Sequence, residues 1–142
     1  MIDRLIFALV AVTGCAASTA APASSATPSA SLCSAAIARV WHGRTATARG
    51  DEYAARLAES IKKFHDIPGN RGYQMMRETI GDETHFTVIS YWVDRAAIHG
   101  YAGEDIRKTR HTSYDPEFLI EPEQTVKNYD LVVQSLDCPR GR

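Results

Sequence analysis

The sequence predicts an α+β domain of ferredoxin-like order, β-α-β-β-α-β, with four strands in one antiparallel sheet and the helices on one of its faces. Two observations carry that prediction. Between residues 37 and 136 the apolar pattern changes twice from strand-like runs to helical spacing and back, as it does where strands and helices take turns. The second and third strand-like runs are joined by Ile80-Gly81-Asp82-Glu83, a short turn with a glycine to accept positive φ, so they form a hairpin.

The first strand is read at Ile37-Ala38-Arg39-Val40-Trp41-His42, a segment rich in strand formers. Over residues 51–64, Tyr53, Leu57, Ile61 and Phe64 fall on one helical face, with Arg56, Glu59, Lys62 and Lys63 elsewhere. Asp51 and Glu52 sit in the first turn, where the helix dipole favours anions, and Pro68-Gly69 prevents continuation. The hairpin arms span 72–79 and 84–92. The second arm is apolar on both faces, which predicts a strand covered on both sides. Asp94 is placed to cap a second helix carrying Ala97, Ile98 and Tyr101. Gly100 and Gly103 predict that this helix is short, breaks, and resumes around 105–109. Pro116 and Pro122 punctuate a long loop holding Phe118, Leu119 and Ile120, and a final strand at 125–136 closes the domain. This order leaves one sheet face without helices. A homodimer that buries sheet against sheet, an α+β barrel, is the expected solution.

With 142 residues the chain has the length of one domain, and Lys+Arg 16 against Asp+Glu 17 leaves no basic surplus for a nucleic-acid partner. The charge is unevenly spread, with none at all from residue 5 to residue 38. Residues 5–12 are an unbroken apolar run, too short to span a bilayer as a helix but suited to the h-region of a secretory signal, with Arg4 before it. The run ends in Val12-Thr13-Gly14-Cys15, which resembles a bacterial lipobox: small side chains admit the peptidase, and the thiol takes the diacylglyceryl group. Residues 1–15 are read as a signal peptide with lipidation at Cys15, the alternative being ordinary cleavage at a later Ala-x-Ala-like site. Residues 16–31 hold only Ala, Ser, Thr and Pro, so 16–33 is read as a disordered tether, 34–138 as the folded domain and 139–142 as a tail. The chain is therefore expected to be exported to the bacterial cell envelope and held at a membrane by its lipid. In that setting Cys33 and Cys138, which bracket the domain, are disulfide candidates.

Several segments together resemble the antibiotic-biosynthesis-monooxygenase (ABM) family. They are Ile37-Ala38-Arg39-Val40-Trp41-His42-Gly43-Arg44, the helix opening Asp51-Glu52-Tyr53, Ile67-Pro68-Gly69-Asn70-Arg71-Gly72 and Val88-Ile89-Ser90-Tyr91-Trp92. Ala102-Gly103-Glu104-Asp105-Ile106 and the ending Phe118-Leu119 with Val126 extend the likeness over nearly all of 37–133. The resemblance implies a dimeric α+β barrel with a pocket in each subunit between sheet and helices. Its characterised members imply either a cofactor-independent oxygenase of aromatic polyketides or a haem-degrading oxygenase. The first class must help a phenol lose a proton and stabilise the anion that meets dioxygen, which calls for a base or hydrogen-bonding group in a water-poor cavity.

Under that resemblance His111, His42 and Tyr101 are the expected catalytic groups, and Trp92, Tyr91, Arg44 and Phe118 the expected substrate contacts. Trp92 takes the strand-terminal position where the family commonly carries tryptophan, an aromatic wall for a planar ligand. His111 has the spacing from Trp92 of the haem-ligating histidine in haem-degrading members, but the register puts Gly43 where those members use an asparagine. His42 alternates away from Trp41 and would meet His85 across the sheet if the register allows. No close His-x-His or His-x-x-x-His spacing predicts a metal site. Arg39 and Arg44 are expected to pair with acidic neighbours, and the loop around Asp115-Pro116-Glu117 to cover the pocket. No flavin or nicotinamide fingerprint is present. The expected function is oxidation of a small aromatic, phenolic or quinone-type, by dioxygen with no bound cofactor. The alternatives are a non-catalytic ligand-binding lipoprotein and a haem-binding or haem-degrading protein.

Overall fold

The computed structural model describes residues 34–135; the segments read above as signal peptide and tether, with Cys15, Cys33 and Cys138, lie outside the described residues. The order is β1 (Ile37–Ala46), α1 (Gly50–Ile61), β2 (Asn70–Ile80), β3 (Glu83–Trp92), α2 (Arg95–Ala102), α3 (Asp115–Phe118) and β4 (Lys127–Asp130), with 3₁₀ turns at Thr47–Arg49 and Lys62–Asp66. The strands lie in the order β2-β3-β1-β4, every pair antiparallel. This is the ferredoxin-like α+β fold that the sequence predicts.

Local chemistry explains the elements. α1 buries Tyr53, Leu57 and Ile61, the face the helical spacing marks out, and Phe64 joins them from the 3₁₀ turn that follows. The β2–β3 hairpin turns on Gly81 and Asp82, with Gly81 at φ 58, a conformation open to a residue without Cβ. The Asp94 carboxylate caps α2, accepting from the Ala97 N–H at 2.8 Å. α2 ends at Gly103, whose φ is 88.

Opposed residues in the ladder share a face, so the register divides the sheet. Arg39, Trp41, Gly43 and Thr45 stand opposite Ser90, Val88, Phe86 and Thr84. This is the helix-covered face, where Tyr53 meets Phe86 and Phe64 meets Trp92 edge-on. Val40, His42 and Arg44 stand opposite Ile89, Thr87 and His85 on the other face.

Three expectations need correction. β3 is not covered on both sides within one chain: Thr84, Phe86, Val88, Ser90 and Trp92 are buried, while the residues between them are only half-buried. The helical piece at 105–109 is a turn followed by an isolated bridge from Lys108 to Thr125. There the Asp105 side chain accepts from the Arg107 N–H at 2.9 Å, a local bond that competes with helix formation. The last strand is four residues long, not twelve. Beyond Val40 the free edge of β1 is taken by the preceding loop, with the Ile120 N–H bonded to the Arg44 carbonyl and the His42 N–H to the Glu123 carboxylate.

Candidate functional site

A cavity lies between the covered face of the sheet, α1 and the loop that follows α2. Arg39 and Trp41 from β1, Val88 and Ser90 from β3, Tyr53, Leu57, Ser60 and Ile61 from α1, Phe64 from the turn, and Tyr101 from α2 form most of its wall. Arg110, Thr112 and Asp115 close it from the loop, and Lys63 stands at its edge. The space open to the centre of a water-sized sphere is ≈ 70 Å³, room for a few waters. A ring-sized ligand must therefore displace water and move loop side chains.

One side of the wall is aromatic. The Tyr101 ring stacks on Trp92 at 5.6 Å between centroids, and Phe64 meets Tyr101 edge-on at 5.3 Å. Trp92 itself is completely buried and its Nε1–H donates to Ser90 Oγ at 2.9 Å. It backs the wall without forming its surface.

The opposite side is a buried carboxylate and its donors. Asp115 is 4 % exposed. Its Oδ1 accepts from the Tyr53 hydroxyl at 3.0 Å and from the Thr112 hydroxyl at 2.6 Å, and its Oδ2 from the Thr112 N–H at 2.6 Å. His111 Nδ1 stands 3.6 Å from Oδ2. Burial first, and then the Asp115 charge, push the Tyr53 phenol far above the ordinary tyrosine value. Burial also raises Tyr101, with Arg39 and Arg110 opposing the shift.

Arg39 forms the floor. It is 5 % exposed, and its guanidinium donates to the carbonyls of Ile106 and Lys108, the latter at 2.8 Å, and to Asn128 Oδ1 at 3.5 Å. No acidic side chain is among these acceptors, which corrects the expectation that Arg39 pairs with one. Burial holds its pKa below the usual arginine value. Arg44 does pair, with Glu83 at 2.8 Å and with Glu121.

The structure brings only part of the expected set to this cavity. Tyr101 lines it, and Trp92 supports it from behind. His111 is exposed on the far side of Asp115, facing the groove of Glu104, Asp105 and Lys108. His42, Arg44 and Tyr91 are on the opposite sheet face, where His42 contacts Glu123 at 3.4 Å and the Tyr91 hydroxyl donates to Gln74 at 3.3 Å. His42 stands opposite Thr87 and His85 opposite Arg44, and His85 contacts Glu83 at 3.3 Å. Phe118 is in the core under Arg49, 3.8 Å from its ring centroid, and tilted against Tyr53 at 5.5 Å. Among the described residues no three His, Cys, Asp or Glu side chains gather to hold a metal.

Sequence reasoning missed Arg39, Trp41, Tyr53 and Asp115 as site residues. A signal existed for Arg39: alternation places it on the same face as Ile37 and Trp41, and a buried arginine is unusual. Haem does not fit these residues as they stand. The cavity is too small, His111 is separated from it by Asp115, and the indole of Trp41 fills the space a side chain at position 43 would need.

Among known proteins, the family model described as Antibiotic biosynthesis monooxygenase matches residues 39–111. No curated protein matches significantly. Similar solved structures include the NE2512 protein of unknown function from Nitrosomonas europaea, 15% identical, covering 75% of this chain and 97% of that one at a TM-score of 0.55. A candidate antibiotic biosynthesis monooxygenase from Bacillus cereus is 10% identical, with 71% and 97% covered and a TM-score of 0.52. The haem-degrader MhuD from Mycobacterium tuberculosis is 17% identical, with 70% and 98% covered and a TM-score of 0.49. Identities this low speak for the fold alone.

Proposed function

Because the chain belongs to the antibiotic biosynthesis monooxygenase family, we propose that its cavity oxidises a small phenolic or quinone-type aromatic with dioxygen and no bound cofactor. One observation carries the reading: one cavity, open at the Lys63 and Arg110 edge, joins an aromatic wall, Trp41 with Tyr101 and Phe64, to a buried cation and a buried carboxylate, Arg39 and Asp115.

Each part has a task in such a reaction. The aromatic side chains hold a planar ring and exclude water. Asp115, with His111 behind it, takes the proton that an activated phenol or adjacent C–H group releases. Proton loss leaves an anion, the electron-rich species able to reduce dioxygen, in the field of the cations that line the cavity, Arg39, Lys63 and Arg110. For a methylene centre the balance is R₂CH₂ + O₂ → R₂C=O + H₂O, so the substrate supplies every electron. One oxygen atom enters the product and the other leaves as water.

The test is oxygen uptake by the purified chain over a panel of hydroxylated aromatics, with ¹⁸O₂ to follow the incorporated atom. One labelled atom in the product, and at least a hundredfold loss of rate in Asp115→Asn, support the proposal. Absence of uptake across the panel, with binding retained, leaves a ligand-binding protein.

The proposal also takes the chain to be a homodimer through the helix-free sheet face and to be tethered at the cell envelope through a lipid on Cys15. The apolar residues of that sheet face support the first, and the lipobox-like Val12-Thr13-Gly14-Cys15 the second. Labelled palmitate incorporated by the wild type and refused by Cys15→Ala tests the anchor.

A further inference from the structure

We infer that the ligand of this cavity is an aromatic acid whose anionic group, a carboxylate, is bound by Arg39, with Lys63 and Arg110 at the edge of the site. The inference rests on the aromatic pocket proposed above and narrows its substrate to one charge class.

The distribution of charge leads there. Three cations, Arg39, Lys63 and Arg110, line the cavity against one carboxylate, Asp115, in a chain whose formal net charge is -1. That carboxylate is already engaged by Tyr53, Thr112 and His111. Among the described residues none of the three cations forms an ion pair, whereas Arg44, Arg49, Arg56, Arg77, Arg95 and Arg107 all do, near solvent. Arg39, the buried one, has no carboxylate within ion-pair distance, and the charge of Asp105, itself paired with Arg107, reaches it only from beyond contact.

Arg39 is fixed in place by neutral acceptors. The carbonyls of Ile106 and Lys108 and the Asn128 amide oxygen orient the guanidinium without neutralising it. A buried charge held that way lacks an ion pair, and with Nη1 given to Ile106 and Asn128 and one Nη2 hydrogen to Lys108, a carboxylate would meet what is left, Nε–H and the second Nη2–H. The ring of Tyr101 lies 5.8 Å from the same guanidinium and stacks on Trp92, so an anion at Arg39 would have its attached ring beside the aromatic wall. Lys63 and Arg110 are both exposed at the edge, where they draw an anion inward. Burial first, and also the Arg110 charge, hold the pKa of Arg39 below normal, against the opposing pull of Tyr101 and Asp105.

The test uses the full chain and two phenols of nearly the same planar shape, anionic 4-hydroxybenzoate and its neutral amide 4-hydroxybenzamide, titrated calorimetrically at neutral pH in low and high salt. The acid is expected to bind at least tenfold more tightly, with the advantage shrinking in high salt. In Arg39→Gln the preference should fall to threefold or less, in protein whose circular dichroism is unchanged. Should that buried substitution prevent folding, the exposed pair Lys63→Gln with Arg110→Gln decides, through a threefold or greater weakening of the acid alone. Equal affinity for the two phenols, or a preference unchanged in folded variants, overturns the inference and leaves the aromatic pocket standing. If neither phenol binds, the pocket reading falls and takes this inference with it.

Discussion

The indole of Trp41 lies across the backbone of Gly43, so that a Cβ at position 43 would fall 2.4 Å from Cη2 and 3.1 Å from the Leu119 methyl. Gly43 is thus what lets Trp41 turn into the cavity wall. An asparagine there has to push the indole away or shift the strand. Gly43→Asn is expected to cost about 1–3 kcal/mol by overpacking, lowering the melting temperature by roughly 5–20 °C for a domain of this size. Calorimetric melting checks it. A variant that melts with the wild type would show that the indole is free to swing aside.

Tyr53 and Asp115 tie α1 to the loop after α2 through a buried hydrogen bond of 3.0 Å. Tyr53→Phe keeps the ring packing against Phe86 and Phe118 but leaves the carboxylate one donor short. Hydrogen bonds to a charged group contribute about 1.5–3 kcal/mol, so urea unfolding should show a loss in that range with an unchanged slope. A loss below about 0.5 kcal/mol would mean that water replaces the phenol at no cost.

The same tyrosine sets a limit at high pH. Its folded-state pKa is raised, as is that of Tyr101, while in the unfolded chain both titrate near 10. Above that value the unfolded state binds fewer protons than the folded one, so stability present at lower pH is lost as pH rises. The expected slope approaches about 1.4 kcal/mol per pH unit for each such group. Tyrosinate absorbance from Tyr53 should appear only with unfolding, and Tyr53→Phe should shallow the decline. A pH-independent stability between 9 and 11.5 would contradict the buried, neutral phenols.

Much of the fold was legible because it follows from local periodicity. The α1 face of Tyr53, Leu57 and Ile61, the Asp94 cap and the Gly81 turn are all written in nearest-neighbour chemistry. The site was less legible because it depends on how one long loop lies against the sheet. That loop brings Arg110, Thr112 and Asp115 to the cavity and carries His111 just past it, and no spacing rule says which side chains of a turn face inward. His42 and Arg44 illustrate a second limit. Alternation put His42 opposite Trp41 correctly, yet only the position of the helices shows that Trp41 has the cavity side.

The ends of the domain offer another test. After β4 the Leu131 N–H bonds to the Ala36 carbonyl, and the Gln134 side chain donates to the Ala35 carbonyl at 2.8 Å. Residues 35–36 and 131–134 therefore run side by side; we propose that Cys33 and Cys138, which lie outside the described residues, form a bridge. A disulfide closing about 100 residues is worth on the order of 4–5 kcal/mol in the chain-entropy model. Protein made in an oxidising compartment should weigh two hydrogens less than its reduced form and should lose thermal stability on reduction. Two free thiols titrating in native oxidised protein would remove the bridge.

The helix-free face of the sheet leads to the last expectation. Val40, Ile89 and Tyr91 are half-buried there, and Met76 and Tyr129 are 46% and 49% exposed. The register groups them: Val40 faces Ile89, and Ala38 faces both Tyr91 and Tyr129, while Arg44, Glu78 and His85 lie together farther along the strands. Lys127 stands beside Val40 and Gln74 beside Ile89 on the two edge strands, so a strip of apolar residues is flanked by polar ones and followed by a charged end, a pattern that suits a two-fold contact centred on Val40 and Ile89 with the polar and charged groups at its rim. A dimer is expected at micromolar concentration in analytical ultracentrifugation. Met76→Glu with Tyr129→Glu, both at solvent-facing positions, should yield a folded monomer, because four carboxylates would crowd a two-fold interface. Wild-type protein that sediments as a monomer at that concentration, or a double variant that stays dimeric, would place the contact elsewhere.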